Sequence, residues 1–513
     1  MKKAFRILNI FLCLVTLVTA FTGCNAGGDN DFVIPSDLLS EEEYRAEVKK
    51  LSEGENLVDA DTAAIDKLGN RLRDMIVYST NDITDTAGTT YYVSNDGNDE
   101  NDGKTPKTAW ATLSKVNVTK FRKDDLVLFE RGGLWRGYID AQSDVTYSAY
   151  GEGPKPKIYS SIDGMEGEWT LTDKADIYVY SEKLYESDIG VIVFDSDAPD
   201  AKYANKKANI YKIVNDLDFA FQGAKATSGK KDGKLYIKCK EGNPKDVFKS
   251  IEISRYTPSV KIANKSKNIH IDNLEFMFGT NPIIGSGYDN IKMTYCVAGW
   301  HGGHMNDGNI RLFGGVAVAP DGDHIFVEHC YLYQQFDSGV TPQVSWATKE
   351  PSVFDTFVTS DCLFEYCEYT LEYFSTQLNT DQNCIKNMYF GYNFCRYGGY
   401  GFGDKANASA YVKSWSQENN CYDSTIEYNI FDRPTALSIE IMATKQREEG
   451  GKKEFIFDLL PKMQNNIYIH RKDRKFANVN NVTYNFNEQT YNTLKGMGFE
   501  TGARYLFAPE TNK

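Results

Sequence analysis

Six segments decide the fold: NIHIDNLEF at 268–276, NIKMTYCVA at 290–298, HIFVEHCYL at 324–332, TFVTSDCLF at 356–364, NMYFGYNFC at 387–395 and DSTIEYNIF at 423–431. Aligned, they carry apolar residues at the second and often the fourth position, and the ninth is usually apolar. The seventh position reads Leu274, Cys296, Cys330, Cys362, Asn393, Asn429. The copies start 22 to 36 residues apart with no long helical period between them, which excludes strand–helix–strand units and leucine-rich repeats. Strands stacked about 4.8 Å apart place like residues over like, so three cysteines passing into two asparagines form an internal ladder of a parallel β-helix. Cys296, Cys330 and Cys362 are then expected as buried, reduced core thiols rather than disulfide partners. A further copy is expected to begin at Asn466-Ile467-Tyr468-Ile469.

Outward from this repeat the texture changes. Tyr91-Tyr92-Val93-Ser94 reads as a strand, and residues 89–164 as the first part of the solenoid. Residues 165–255 hold short strands between lysine-rich turns and read as an inserted antiparallel β subdomain. Residues 256–482 supply the coils, and 483–513 a C-terminal cap. Residues 40–80 are expected to be helical, with Ser40-Glu41-Glu42-Glu43 as a capping box and Tyr44, Val48 and Leu51 on one face. This helical part reads as a spacer.

Lys2, Lys3 and Arg6 precede the apolar run from Ile7 to Phe21, which is too short for a comfortable membrane span. It ends in Phe21-Thr22-Gly23-Cys24, which resembles a bacterial lipobox. Residues 1–24 are read as a lipoprotein signal with Cys24 lipidated, and 25–39 as a flexible tether. The body is expected outside the cytoplasm, touching the membrane through its lipid anchor only.

The 513 residues include 57 Lys+Arg and 71 Asp+Glu, a net charge of −14 without a long basic run, which argues against a nucleic-acid partner. The loop at 95–105, NDGNDENDGKT, has the oxygens to hold calcium. Its spacing departs from the EF-hand pattern, so Asx turns are the preferred reading and no cofactor is expected.

The chain resembles exported right-handed parallel β-helix proteins of the pectin-lyase-like superfamily. The resemblance rests on residues 91–113 (YYVSNDGNDENDGKTPKTAWATL), 125–137 (DLVLFERGGLWRG), 147–156 (YSAYGEGPKP), 334–343 (QQFDSGVTPQ), 365–374 (EYCEYTLEYF) and 396–405 (RYGGYGFGDK). The fold class expected is therefore all-β: a right-handed parallel β-helix solenoid with an inserted β subdomain and an N-terminal helical spacer. The resemblance implies a polysaccharide or oligosaccharide substrate. Where relatives often carry Gly-Ile-Glu, this chain has Gly315-Val316-Ala317, which puts any mechanism using that carboxylate in doubt.

Hydrolysis of a glycosidic bond needs one carboxyl to protonate the leaving group and one carboxylate to attack or to activate water. The candidates are Asp337 and Glu372, with Glu368 in reserve. Strict alternation would put Glu368, Thr370 and Glu372 outward and Tyr369, Leu371 and Tyr373 inward. Glu368 and Glu372 would then be about 13 Å apart, too far for a retaining pair, so a partner must come from the neighbouring coil. Asp337 meets that need only if the strand bends. His301, His304, Trp346, Arg396 and Lys405 are candidate substrate-binding groups. The histidines, with Asp307, also offer a general base or metal ligands. With Arg396 and Lys405 they offer the base and charge neutralisation of a lyase on uronic-acid glycans. A glycoside hydrolase, such a lyase and a non-catalytic glycan-binding protein all remain open on sequence.

Overall fold

The computed structural model describes residues 32–181, 184, 186–222, 233–306, 310–318, 322–344, 352–374, 384–404, 406–414, 421–441, 446–449, 452–455 and 460–510. Two eleven-stranded sheets and one ten-stranded sheet, almost wholly parallel, wind around one continuous core: a parallel β-helix. The repeat pairs in the register of the alignment. Ile269 lies on Ile291, then on Ile325, Phe357 and Met388, and Tyr389 on Thr425. The final copy starts earlier than expected. Thr425 pairs with Lys462 and Ile430 with Ile467, so Asn466 opens no new copy but takes the seventh position of its coil.

The seventh-position column is the internal ladder. The Cys330 N–H meets the Cys362 thiol at 3.3 Å, and the Cys362 N–H donates to Asn393 Oδ1 at 3.0 Å. Asn393 N–H donates to Asn429 Oδ1 and Asn429 N–H to Asn466 Oδ1, at 2.9 and 3.0 Å. The amide nitrogens of these asparagines donate to the carbonyls of Thr359, Phe390 and Ile426. Each asparagine thus satisfies backbone groups at a corner where strand pairing lapses. The eight cysteines among the described residues are buried and outside any disulfide.

The ladder ends at Glu500, whose carboxyl accepts from Asn466 Nδ2 (3.1 Å) and from the Tyr468 hydroxyl. Burial pushes it up from 4.5 to about 8. At the other end of the solenoid Val93, Trp110, Leu113 and Val116 close the core, and at this end Leu494 and Phe499 do.

The helical part is two helices, α1 (Glu41–Ser52) and α2 (Thr62–Val77), capped by Ser40 and Asp61. They do not stand apart from the body. One eleven-stranded sheet presents Leu363, Phe394, Ile430, Ile467 and Leu506 outward, and Tyr44, Val48, Ile65, Leu72 and Ile76 cover them. Burying that apolar strip is the driving force for docking. Ion pairs fix the orientation: Arg45 grips Asp361 through two bonds of 2.8 and 2.6 Å, and Arg433 pairs with Asp66. The inserted region forms a five-stranded and a four-stranded sheet around its own core of Trp169, Phe194, Phe219, Leu235 and Ile253.

In the loop at 95–105 two of the four acids are engaged by the chain itself. Asp99 accepts the N–H groups of Ala111 and Thr112 and the Thr112 hydroxyl, and Asp102 accepts from Thr108 and Lys104.

Candidate active site

The site lies on the outer face of the ten-stranded sheet. Its strands include Ile283–Gly285, Val316–Val318, Ser338–Pro342, Tyr369–Tyr373, Ala410–Ser414 and Leu437–Ile441. Alternation breaks at the start of two of them. A Cβ on Gly339 would come 2.7 Å from the Phe364 ring inside the coil, and Val340 is core as well. On the next coil the Thr370 hydroxyl reaches the Cys395 thiol, and Leu371 is core. Two successive inward residues make a corner, and the outward residues become Ser338 and Thr341, then Tyr369 and Glu372. Tyr369 is fully buried: its ring carries Lys413 Nζ at 4.7 Å, and its phenol is pushed up by burial and then by Asp337, Glu368, Glu372 and Glu440.

The corner is the bend that the two acids need. A cavity of about 210 Å³ opens there, lined by Asp337 and Glu372 together with Asn281, Ile284, Leu312, Phe313, Ala317, Ser338, Thr341 and Gln343. Asp337 is half-buried; Glu372 is buried, and Ser338 Oγ donates to its Oε2 at 2.5 Å. Lys413 sits on the next rung beyond Glu372 and pairs with Glu440 one rung further. Coils approach closely here because position 315 is glycine: a Cβ there would lie 1.6 Å from the Gly339 carbonyl oxygen. Ala317 occupies the floor between Ile284 and Thr341.

The other sequence candidates are placed elsewhere. Glu368 does not line the cavity; it is buried under Gly403, where a Cβ would come 2.3 Å from its Oε2. His301 and His304 are not surface groups. Both are fully buried, bonded through Nε2 to Ser259 Oγ (3.0 Å) and Ser254 Oγ (3.3 Å). Burial pushes His301 down to about 3, and burial, then Lys206 and Arg311, push His304 well down. Enclosed, neither histidine lines the cavity. Arg396 lies on a different sheet, paired with Glu365 and bonded to Asn70 and the Asp66 carbonyl of α2. Trp346, Lys405, Asp307 and Cys24 lie outside the described residues. Sequence reasoning missed Ser338 and Thr341, which line the cavity; only the three-residue outward spacing at the corner would have flagged them.

Among the described residues one group, Glu41, His329 and Asp361, has metal-ligand closeness. The Arg45 guanidinium already neutralises Asp361 there. No described helix is long and apolar enough to cross a membrane.

No protein-family model matches the chain. A stretch of 112 residues is 31% identical to the lacto-N-biosidase of Bifidobacterium longum subsp. longum, covering 20% of this chain and 7% of that protein. The chain thus matches a small fraction of the curated relative's length. Among solved structures, the XylC–xylose complex aligns over 76% of this chain and 71% of its own, with a TM-score of 0.42 and 10% identity. The GH136 lacto-N-biosidase of Eubacterium ramulus aligns over 87% and 70%, with a TM-score of 0.33 and 13% identity. A further glycoside hydrolase aligns over 83% and 97%, with a TM-score of 0.36 and 9% identity.

Proposed function

We propose that this chain is a glycoside hydrolase acting on an oligosaccharide or polysaccharide in the cleft around Asp337 and Glu372. The observation that carries the reading is the meeting of these two acids, from adjacent coils, on one cavity. The partial likeness to a lacto-N-biosidase agrees with it. In this reading one of the two acids is the ionised partner. It attacks the anomeric carbon or activates a water that does so. The other protonates the departing glycosidic oxygen, and the cavity walls exclude competing water. The lyase alternative loses support, since His301, His304 and Arg396 are buried and do not line the cleft.

A panel of polysaccharides and 4-nitrophenyl glycosides, read for new reducing ends and for absorbance of unsaturated products, tests the reading. Reducing ends without unsaturation are expected; unsaturated products would establish the lyase instead, and binding without turnover a non-catalytic role. We propose further that the protein lies outside the bacterial cytoplasm, anchored by lipid on Cys24, on the support of the basic start, apolar run and Phe21-Thr22-Gly23-Cys24. Cys24→Ala is expected to release it from the membrane fraction, and unchanged retention would refute the anchor.

A further inference from the structure

The cavity wall formed by Leu312, Phe313 and Gly314 is held by more than its own coil. Phe313 has a left-handed backbone (φ +77°), unfavourable for a bulky residue and kept only where neighbours impose it. The neighbours are the stretch from Gly302 to His304. Leu312 pairs with His304 across the antiparallel strands Ile310–Leu312 and His304–Asn306, and the Gly303 N–H donates to the Leu312 carbonyl at 2.9 Å. Gly302 runs so close that a Cβ on it would lie 1.9 Å from the Phe313 carbonyl oxygen. The rings of His304, Tyr256 and Phe313 meet edge to face, with centroids 5.4 to 6.5 Å apart.

On its other side His304 meets the inserted subdomain. Ser254 Oγ accepts the N–H groups of Gly190 and Val191 at 3.1 and 3.0 Å and lies 3.3 Å from His304 Nε2. A hydroxyl has two lone pairs and one proton, so with both lone pairs taken Ser254 donates to Nε2. That bond requires a neutral ring with its one proton on Nδ1. A second proton, on Nε2, would aim a donor at an oxygen that has nothing left to accept with. The charged surroundings add to this. Burial, then Lys206, Arg311 and His301, push His304 well down, and the Arg255 backbone opposes them least. Lys206 pairs with Asp188, which also accepts the Met305 N–H at 2.6 Å. Arg311 donates to the carbonyls of Gly303 and Gly190 and lies 3.8 Å from Asp404, and Arg255 pairs with Glu186. Among the described residues the histidine belongs to no group with metal-ligand closeness.

We propose that His304 is a positioning residue and an acid-sensitive latch of the cleft: neutral, it ties the wall Leu312–Gly314 to Ser254 of the inserted subdomain; protonated, it leaves Ser254 and the wall opens. The inference rests on the proposed function only in taking this cavity as the substrate site, and the latch itself is read without substrate. A base whose proton is disfavoured in the closed form holds that form fully above its free value of 6.5. Below that pH the open fraction grows about ten-fold per unit. Hydrogen–deuterium exchange of the full chain, corrected for intrinsic rates, would be followed by mass spectrometry from about pH 7.5 to 4.5. Protection of peptides carrying Gly303 and Leu312–Gly314 is expected to fall about ten-fold per unit below pH 6.5, while the sheet peptide carrying Ile325 and Val327 keeps its own. His304→Gln puts a neutral amide beside Ser254 and is expected to remove the pH dependence. Should that variant fail to fold, the natural chain still decides by where its loss begins. On a substrate from the panel, KM of the natural chain is expected to rise over the same range more than that of His304→Gln. Protection unmoved down to pH 4.5, a loss that begins only there, or a folded His304→Gln that still opens in acid would each overturn the latch. Parallel KM profiles in the two chains while the wall opens would overturn its hold on the cleft. A chain that opens in acid but turns over no substrate would sink the hydrolase reading and leave the latch standing.

Discussion

Two columns of side chains run along the same sheet one residue apart, and they obey different rules. The inward column is Ile139, Val260, Ile283, Val316, Val340, Leu371, Val412, Ile439 and Ala477, aliphatic at every rung. The outward column is Asp140, Lys261, Ile284, Ala317, Thr341, Glu372, Lys413, Glu440 and Asn478, with a different chemistry at almost every rung. Stacking alone dictates the first, since each coil must bury what it turns inward. The second is free to vary, and the cavity lies along its rungs Ile284, Ala317, Thr341 and Glu372. In a repeat protein, departure from the repeat on one face is where chemistry can be placed without disturbing the fold.

The sharpest break of the inward rule is Glu500, a carboxyl inside the ladder. Its value in the folded chain is raised above 4.5 to about 8, so its contribution to stability is full below pH 4.5 and is lost as pH rises through 8. The slope is at most about 1.4 kcal/mol per pH unit across that window. Thermal melts of the natural chain and Glu500→Gln, taken at half-unit steps, should show the variant gaining relative stability from pH 4.5 to 8; parallel curves would contradict a protonated Glu500.

Next in size is Leu371→Ala, which empties a fully buried position and is expected to cost about 3 kcal/mol in denaturant unfolding. A cost below about 1 kcal/mol would mean that this column does not carry the core. Asn429→Ala leaves the Asn393 N–H and the Phe390 carbonyl without their ladder partners, for about 2 kcal/mol. An unchanged midpoint would show that these bonds add nothing. Smallest is Cys362→Ala, at about 1 kcal/mol, since a thiol gives up little more than its packing. Protection of Cys330 from alkylation in the folded variant should persist; rapid labelling there would show that the thiols are not stacked core.

Sequence periodicity carried the fold well because the ladder is a local, repeated demand: six seventh positions, read from 268 to 431, fall in one register. It misplaced the start of the last copy because Asn466 resembles the first-position asparagines at 268, 290 and 387 while serving as a ladder residue. The site was half legible. Asp337 and Glu372 were named from their chemistry, and the corner that joins them was not, since Gly339 and Thr370 look like ordinary strand residues. His301 and His304 misled because a glycine-rich stretch reads as an exposed loop, whereas here the glycines let the chain pass tightly against Phe313 and Gly190. Arg396 misled because nothing local announces that α2, more than 300 residues earlier, lies against it.

The most direct test is turnover of the best substrate from the panel by the natural chain, Asp337→Asn and Glu372→Gln, each with its melting temperature. Both variants are expected to fold normally and to lose about 10³-fold in kcat or more. Two folded variants that both keep rates within a few-fold of the natural chain would contradict the assignment of this cleft as the site of hydrolysis.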